Sequence, residues 1–326
     1  MRIDNLVRIT QGELYQTPSI AQIDGVSFDP DRVKSGDLYI CKNSSQESLK
    51  KAISNGAYAL LSEKTFDVTD KEIAWIKVED LELALIKLAR YFIATNKTDS
   101  YLINPKEKLI FDALSKPKGL SFIENSLDEL IELFFNSKKT LAILSENEDT
   151  LKQIAPNFVT LPTCNEEVFI SSKSLFYSTF LFNGKAFNAL PISPFFIPSF
   201  VKVLFFLQNF EWSFSNIKPL THFRAIFITK KFRMLPFGMG EKALIVEENL
   251  ELFKEEILYL KSKIYQKDLL IGAPKSLNLG VDFEYDALEE ILNLDTRFKY
   301  ILLFANYEDL LSLFEKKDSN KELTLF

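Results

Sequence analysis

The chain has 326 residues, enough for two or three domains with cores of their own. Apolar residues make up 47% and charged residues 26%, which excludes a disordered chain, and a net charge of -6 argues against nucleic acid as a partner. One histidine and two cysteines, Cys41 and Cys164, are too few for a closed zinc site, so no metal is expected and both cysteines read as reduced thiols.

Met1 to Val7 carries charges and no long apolar core, so it does not read as a signal peptide. The first 20 residues suggest a short helix or strand, then a Thr-Pro-Ser turn at 17–19. In the next segment Val26 and Phe28 are expected to face a core, with Ser27 and Asp29 outward. Asp29-Pro30-Asp31 and Ser35-Gly36-Asp37 are turn signals, and Leu38-Tyr39-Ile40 is a short buried strand. Gln46 to Asn55 has helical spacing, with Ser45 as its cap and Gly56 as its stop. Strands are expected at 58–61 and 74–78. Asp80 then caps a helix with Leu81, Ala84, Leu85, Leu88 and Tyr91 on one face.

Thr95 to Ser100 is polar and reads as a linker. Beyond it, Tyr101-Leu102-Ile103 and Leu109-Ile110-Phe111 flank a turn at Asn104 to Lys108. Ser126 is placed to cap a helix over 127–135. Thr140 to Leu144 and Phe158 to Leu161 are strand-like. Phe169 to Phe182 suggests antiparallel strands, with Asn183-Gly184 as a hairpin turn. The most hydrophobic region, 190–207, is broken by three prolines and Lys202, and lacks the roughly 18 uncharged apolar residues of a membrane span. A buried helix from about Pro198 is expected instead, with no membrane insertion and a cytoplasmic location. Strands at 225–228, 243–246, 269–272 and 299–304 alternate with helices at 249–263, 287–292 and 307–314, the pattern of a parallel-sheet domain. The 30 phenylalanines read either as compositional bias alongside Lys and Asn or as functional.

Phe28 to Ile40 resembles the Asp-Ser-Arg-x-Val-x-x-Gly-Asp-Leu-Phe motif of the Mur ligases, the ATP-dependent ligases of peptidoglycan precursor synthesis. Ala52 to Ala59 is similar to the helix and Gly-Ala turn that follow it in that family. Val78-Glu79-Asp80 with Ala84, Leu85, Leu88 and Ala89 is similar to a third segment. Within the family the pattern is nearest the ligases that add a D-Ala-D-Ala dipeptide to a UDP-MurNAc-tripeptide. The resemblance implies an α/β, multi-domain arrangement: a small N-terminal α/β domain over 1–97, a shortened central domain over 98–222 and a Rossmann-like domain over 223–326. It implies Ser27, Asp29, Asp31 and Arg32 as contacts to a uridine diphosphate moiety. Departures are present: Asp29-Pro30-Asp31-Arg32 stands for Asp-Ser-Arg, and Ser44-Ser45-Gln46-Glu47 for Asp-Gly-His.

The family cradles ATP phosphates in a Thr-Gly-x-x-Gly-Lys-Thr-Thr loop. The matching place is Ile103 to Ile110, where Asn104, Lys106 and Lys108 are the remaining polar positions and no glycine precedes Lys108. Glycines leave amides open to an anion, whereas Pro105 removes an amide, Glu107 repels phosphate and Leu109 has no hydroxyl for a metal. Thr163 to Glu167 reads as a solvated loop, and Phe237-Gly238-Met239-Gly240 as a turn lacking the context of a dinucleotide fingerprint. His222 has no evident partner and reads as structural. Arg224 and Arg233 both lie near the family's Gly-Arg nucleotide contact, and Asn249 near its substrate motif. The expectation is therefore a protein with no catalytic residues and no cofactor, binding a UDP-MurNAc-peptide or a cell-wall synthesis protein. The alternatives are an active ligase with a rebuilt ATP and Mg site, using Lys106 and Lys108 or Lys185, and a purely structural scaffold.

Overall fold

The computed structural model describes residues 1–15, 19, 21–42, 45–65, 70–123, 126–136, 141–164, 166–171, 174–294 and 297–322. Thr17 and Pro18 of the expected turn, Ser44, Thr140 and Asn165 lie outside the described residues. The chain runs through α1 (Ile3–Thr10), β1 (Glu13–Leu14), β2 (Gly25–Ser27), β3 (Asp37–Ile40), α2 (Gln46–Ser54), β4 (Ala59–Ser62), β5 (Ala74–Lys77) and α3 (Leu81–Asn96). It continues with β6 (Asp99–Leu102), α4 (Pro105–Ala113), β7 (Leu120–Phe122), α5 (Leu127–Asn136), β8 (Ala142–Ser145), α6 (Glu148–Ile154) and β9 (Val159–Thr160). Then come β10 (Phe169–Ile170), β11 (Ser178–Phe182), β12 (Lys185–Leu190), α7 (Ile197–Leu207), β13 (Arg224–Ile228), β14 (Met234–Leu235) and β15 (Lys242–Glu247). The last elements are α8 (Leu250–Lys263), β16 (Leu269–Pro274), β17 (Phe283–Tyr285), β18 (Tyr300–Phe304) and α9 (Tyr307–Glu322).

The backbone gathers into two compact units. The first is Met1–Asn104 with Pro117–Leu161, and the second is Pro105–Lys116 with Pro162–Phe326. The sheets are a five-stranded one built from β1–β5, a four-stranded one from β6–β9, a three-stranded one from β10–β12 and a six-stranded one from β13–β18. The first two share a unit for a reason visible in α3. Its Ala84, Leu85 and Leu88 pack on the five-stranded sheet, while Ala89 joins Ile123, Leu130 and Ile143 around the four-stranded one. One helix thus serves two sheets and ties them into the first unit.

In that unit the five-stranded sheet has the order β1-β5-β4-β3-β2, parallel except for β1. Parallel strands covered on both faces read as continuous apolar runs, and the period of two still sorts them. Leu38, Ile40, Ala59, Leu61, Ala74 and Ile76 face α1 and α3. Tyr39, Leu60 and Trp75 face α2, against Leu49 and Ala52. The expected caps are in place: Ser45 accepts from the Ser48 amide at 3.2 Å, and Asp80 from the Leu83 amide at 2.8 Å.

Three expectations are corrected here. Ser27 is not outward but buried, because β2 is covered on both sides and its hydroxyl donates to the Asp29 carbonyl at 2.8 Å. Thr95 to Ser100 is not a linker: α3 runs to Asn96, Lys97 ends it in a left-handed conformation, and β6 starts at Asp99. Asn104 to Lys108 is not a simple turn, since Pro105 is the first residue of α4, where a missing amide costs nothing.

The second unit carries two sheets. β10, β11 and β12 form an antiparallel meander whose β11–β12 hairpin turns at Asn183 (φ 49°) and Gly184 (φ 67°), both positive as a type I′ turn demands. The six-stranded sheet has the order β14-β13-β15-β18-β16-β17, with β15, β18, β16 and β17 parallel and β13 antiparallel to β15. α8 packs against β15, β16 and β18, and α9 covers the other face through Leu310 and Phe314. The expected helix at 287–292 is a 3-10 segment, Leu288–Asn293. α7 buries Phe200, Val203, Phe206 and Leu207, and packs on α4 through Phe111 and Phe206, edge to face at 5.9 Å. Among the described residues no helix is long and apolar enough to cross a membrane.

Candidate functional site

The N-terminal contact candidates lie around one turn. Ser27 is buried within it; Asp29 accepts from the Asp31 amide at 2.9 Å, and Arg32 stands 3.5 Å from Asp29 with most of its side chain in solvent. Asp31 pairs with Lys51 of α2. The glycine-aspartate of the same motif is architectural. Gly36 has φ 98°, Asp37 accepts from the Lys34 amide at 2.8 Å, and Asp37 sits opposite Gly25 in the β2–β3 register.

At the head of α4, Lys106 pairs with Glu255 of α8 and lies 4.7 Å from the centre of the Phe195 ring. Lys108 pairs with Asp112 one turn on. Between them Glu107 is buried and meets Lys202 of α7 at 2.7 Å. Asn104 precedes the helix and belongs to the first unit. Lys185 lies on the hairpin, 5.7 Å and 5.5 Å from the centres of the Phe187 and Phe214 rings.

A group of titratable side chains collects at the carboxyl ends of the parallel strands of the six-stranded sheet, where ligands of open α/β sheets bind. β15 ends at Glu247, which is buried. Because β13 runs antiparallel to it, with Arg224 opposite Val246, the residues just before β13 arrive at the same edge. His222 thereby brings Nδ1 to 2.5 Å from Glu247 Oε1, which corrects the reading that this histidine has no partner. The same oxygen accepts the Glu248 amide at 3.0 Å and the Asn249 amide at 2.7 Å. Asn249 caps α8, its side chain accepting from the Glu251 and Leu252 amides. Glu256, one turn and a half into α8, is fully buried and faces Glu247. Burial first, and then the Glu247 charge, hold its carboxyl well above the ordinary range.

Beside this group opens a cleft of about 360 Å³, walled by Phe176, Phe223, Phe237 and Tyr307 and rimmed by His222 and Arg224. The Arg224 guanidinium lies 3.3 Å from the centre of the Tyr307 ring and donates to Glu308 at 3.1 Å. Arg233 is exposed on the tight turn after β13, at the opposite edge of the sheet. Phe223 and Phe232, the residues before the two arginines, both have positive φ (54° and 56°), a strained conformation that glycine adopts at no cost. Backbone shape therefore does not separate the arginines, but position does: only Arg224 shares an edge with Glu247 and the cleft. Sequence reasoning missed Glu247, Glu256 and Tyr307. The one signal available was a run of carboxylates around an apolar strand end. Among the described residues no three His, Cys, Asp or Glu side chains converge so as to hold a metal ion.

No family model matches the chain. A UDP-N-acetylmuramoyl-L-alanyl-D-glutamate–2,6-diaminopimelate ligase from Syntrophomonas wolfei is 34% identical over 93 residues, which is 27% of this chain. The match spans about a fifth (19%) of that relative's length. Among solved structures, MurF from Acinetobacter baumannii superposes with a TM-score of 0.54 at 11% identity, covering 97% of this chain and 98% of that one. The chain is thus Mur-ligase-like: it has the multi-domain α/β fold of the Mur ligases and shares recognisable sequence with one of them over a 93-residue stretch.

Proposed function

We propose that this protein serves peptidoglycan precursor synthesis as a Mur-ligase-like binding protein that does not carry out ATP-driven ligation. In this reading it binds a UDP-sugar peptide, with Asp29, Asp31 and Arg32 as its exposed contacts. The observation that carries it is the fate of the lysines at the head of α4. Both are paired with carboxylates, Lys106 with Glu255 and Lys108 with Asp112, and Glu107 between them is buried. A triphosphate needs open amides and an uncommitted cation. Pro105 contributes no amide, and a buried glutamate next to it opposes an anion, so these residues do not fit ATP and Mg.

Calorimetric titration with UDP-MurNAc-tripeptide, UDP and ATP–Mg in separate runs tests this. Heat from the first two and none from the third is expected. Saturable ATP binding or Mg-dependent hydrolysis would restore the active-ligase reading. Silence from all three would leave a scaffold that docks other cell-wall proteins.

A further inference from the structure

We infer that Glu247, Glu256 and His222 form a single proton-binding site, in which a proton shared between the two buried carboxyls seats the start of α8 against the end of β15 and is sensed by His222 in the cleft wall. Glu247 Oε1 is saturated by His222 and two backbone amides. Glu247 Oε2 and both oxygens of Glu256 are buried, and no described residue donates to them. Ionised carboxylates only accept, so three such oxygens facing one another require a proton as the donor. Placed on Glu256, it lets that carboxyl donate to Glu247, whose other oxygen holds His222.

The surrounding charges favour this arrangement. On α8, Glu255 adds negative potential, and from α4 Lys106 answers it through their ion pair. On the loop after β15, Glu248 is held by Asn306 at 2.7 Å. On β13, Arg224 is engaged by Glu308. Lys106 is thus the cation that acts on Glu256, and it is already paired, so a second buried negative charge has no added compensation. Loss of the shared proton sets Glu247 and Glu256 against each other across the β15–α8 junction, and the added charge is felt at His222.

His222 is the sole histidine, so its ring resonances are read without assignment ambiguity. In the intact protein its ring is expected to titrate in two steps, as coupled groups do. Glu256→Gln places a permanent donor on Glu247 and removes the second charge, so a single step is expected. Coincident curves for wild type and variant would overturn the inference. A single step in the wild type would overturn it as well, without reliance on any variant's folding. The outcome is independent of whether a UDP-sugar peptide binds, since both arms are read on the ligand-free chain.

Discussion

At Gly25 a side chain has no room. A Cβ there would overlap Asp37 Oδ1, in the strand paired beside it. Asp37 cannot yield without releasing the Lys34 amide and the turn that sets the β2–β3 register. Gly25→Ala is therefore expected to cost about 2 kcal/mol, the range of an overpacked core site. Urea unfolding followed through Trp75, buried in the same sheet, checks it. An unchanged midpoint would mean that Asp37 swings out freely. The same environment separates the residues of the N-terminal motif: Gly36 and Asp37 build its turn, while the side chains of Asp31 and Arg32 stand in solvent. From sequence, a turn-building aspartate and a ligand-contacting aspartate look alike.

At the scale of elements, α4 is a packing helix. Its Phe111 meets Phe206, and its buried Glu107 is matched by Lys202 on α7. Lys202→Met is expected to destabilise the second unit by about 3 kcal/mol, since it strips the cation from a buried carboxylate. The double variant Lys202→Met with Glu107→Gln should recover more than half of that loss, as seen in denaturation midpoints. A single variant as stable as wild type would show that Glu107 is satisfied without Lys202.

The helices that were legible in sequence had local signals, such as Ser45 and Asp80 as caps and Gly56 as a stop. The start of α4 had one too, Pro105 at its first position, but the four polar residues around it, Asn104, Lys106, Glu107 and Lys108, pointed to a turn. The pairing of His222 with Glu247 left no trace, because it depends on the antiparallel register of β13 and β15 across 25 residues. The Asn183-Gly184 hairpin was visible because two adjacent positive φ values need those residue types.

For the molecule as a whole, each compact unit holds one of the two tryptophans, Trp75 in the first and Trp212 in the second, so their stabilities can be followed apart. Trp75 donates to Ser62 Oγ at 3.2 Å, and Trp212 to the Ser115 carbonyl at 2.7 Å. The raised pKa of Glu256 has a definite sign for stability. Between the ordinary glutamate value and its own folded value, the native state holds a proton that the unfolded chain has lost. Its contribution is fully present below the ordinary value and is lost as pH rises through that window, at no more than about 1.4 kcal/mol per pH unit. Urea midpoints read from Trp212 in a Trp75→Phe chain should fall as pH rises above the ordinary glutamate range. With Glu256→Gln added, that slope should flatten, because an amide has no proton to lose over this range. An equal slope in both chains would place the alkaline loss on other groups and leave the Glu247–Glu256 pair without influence on the unit's stability.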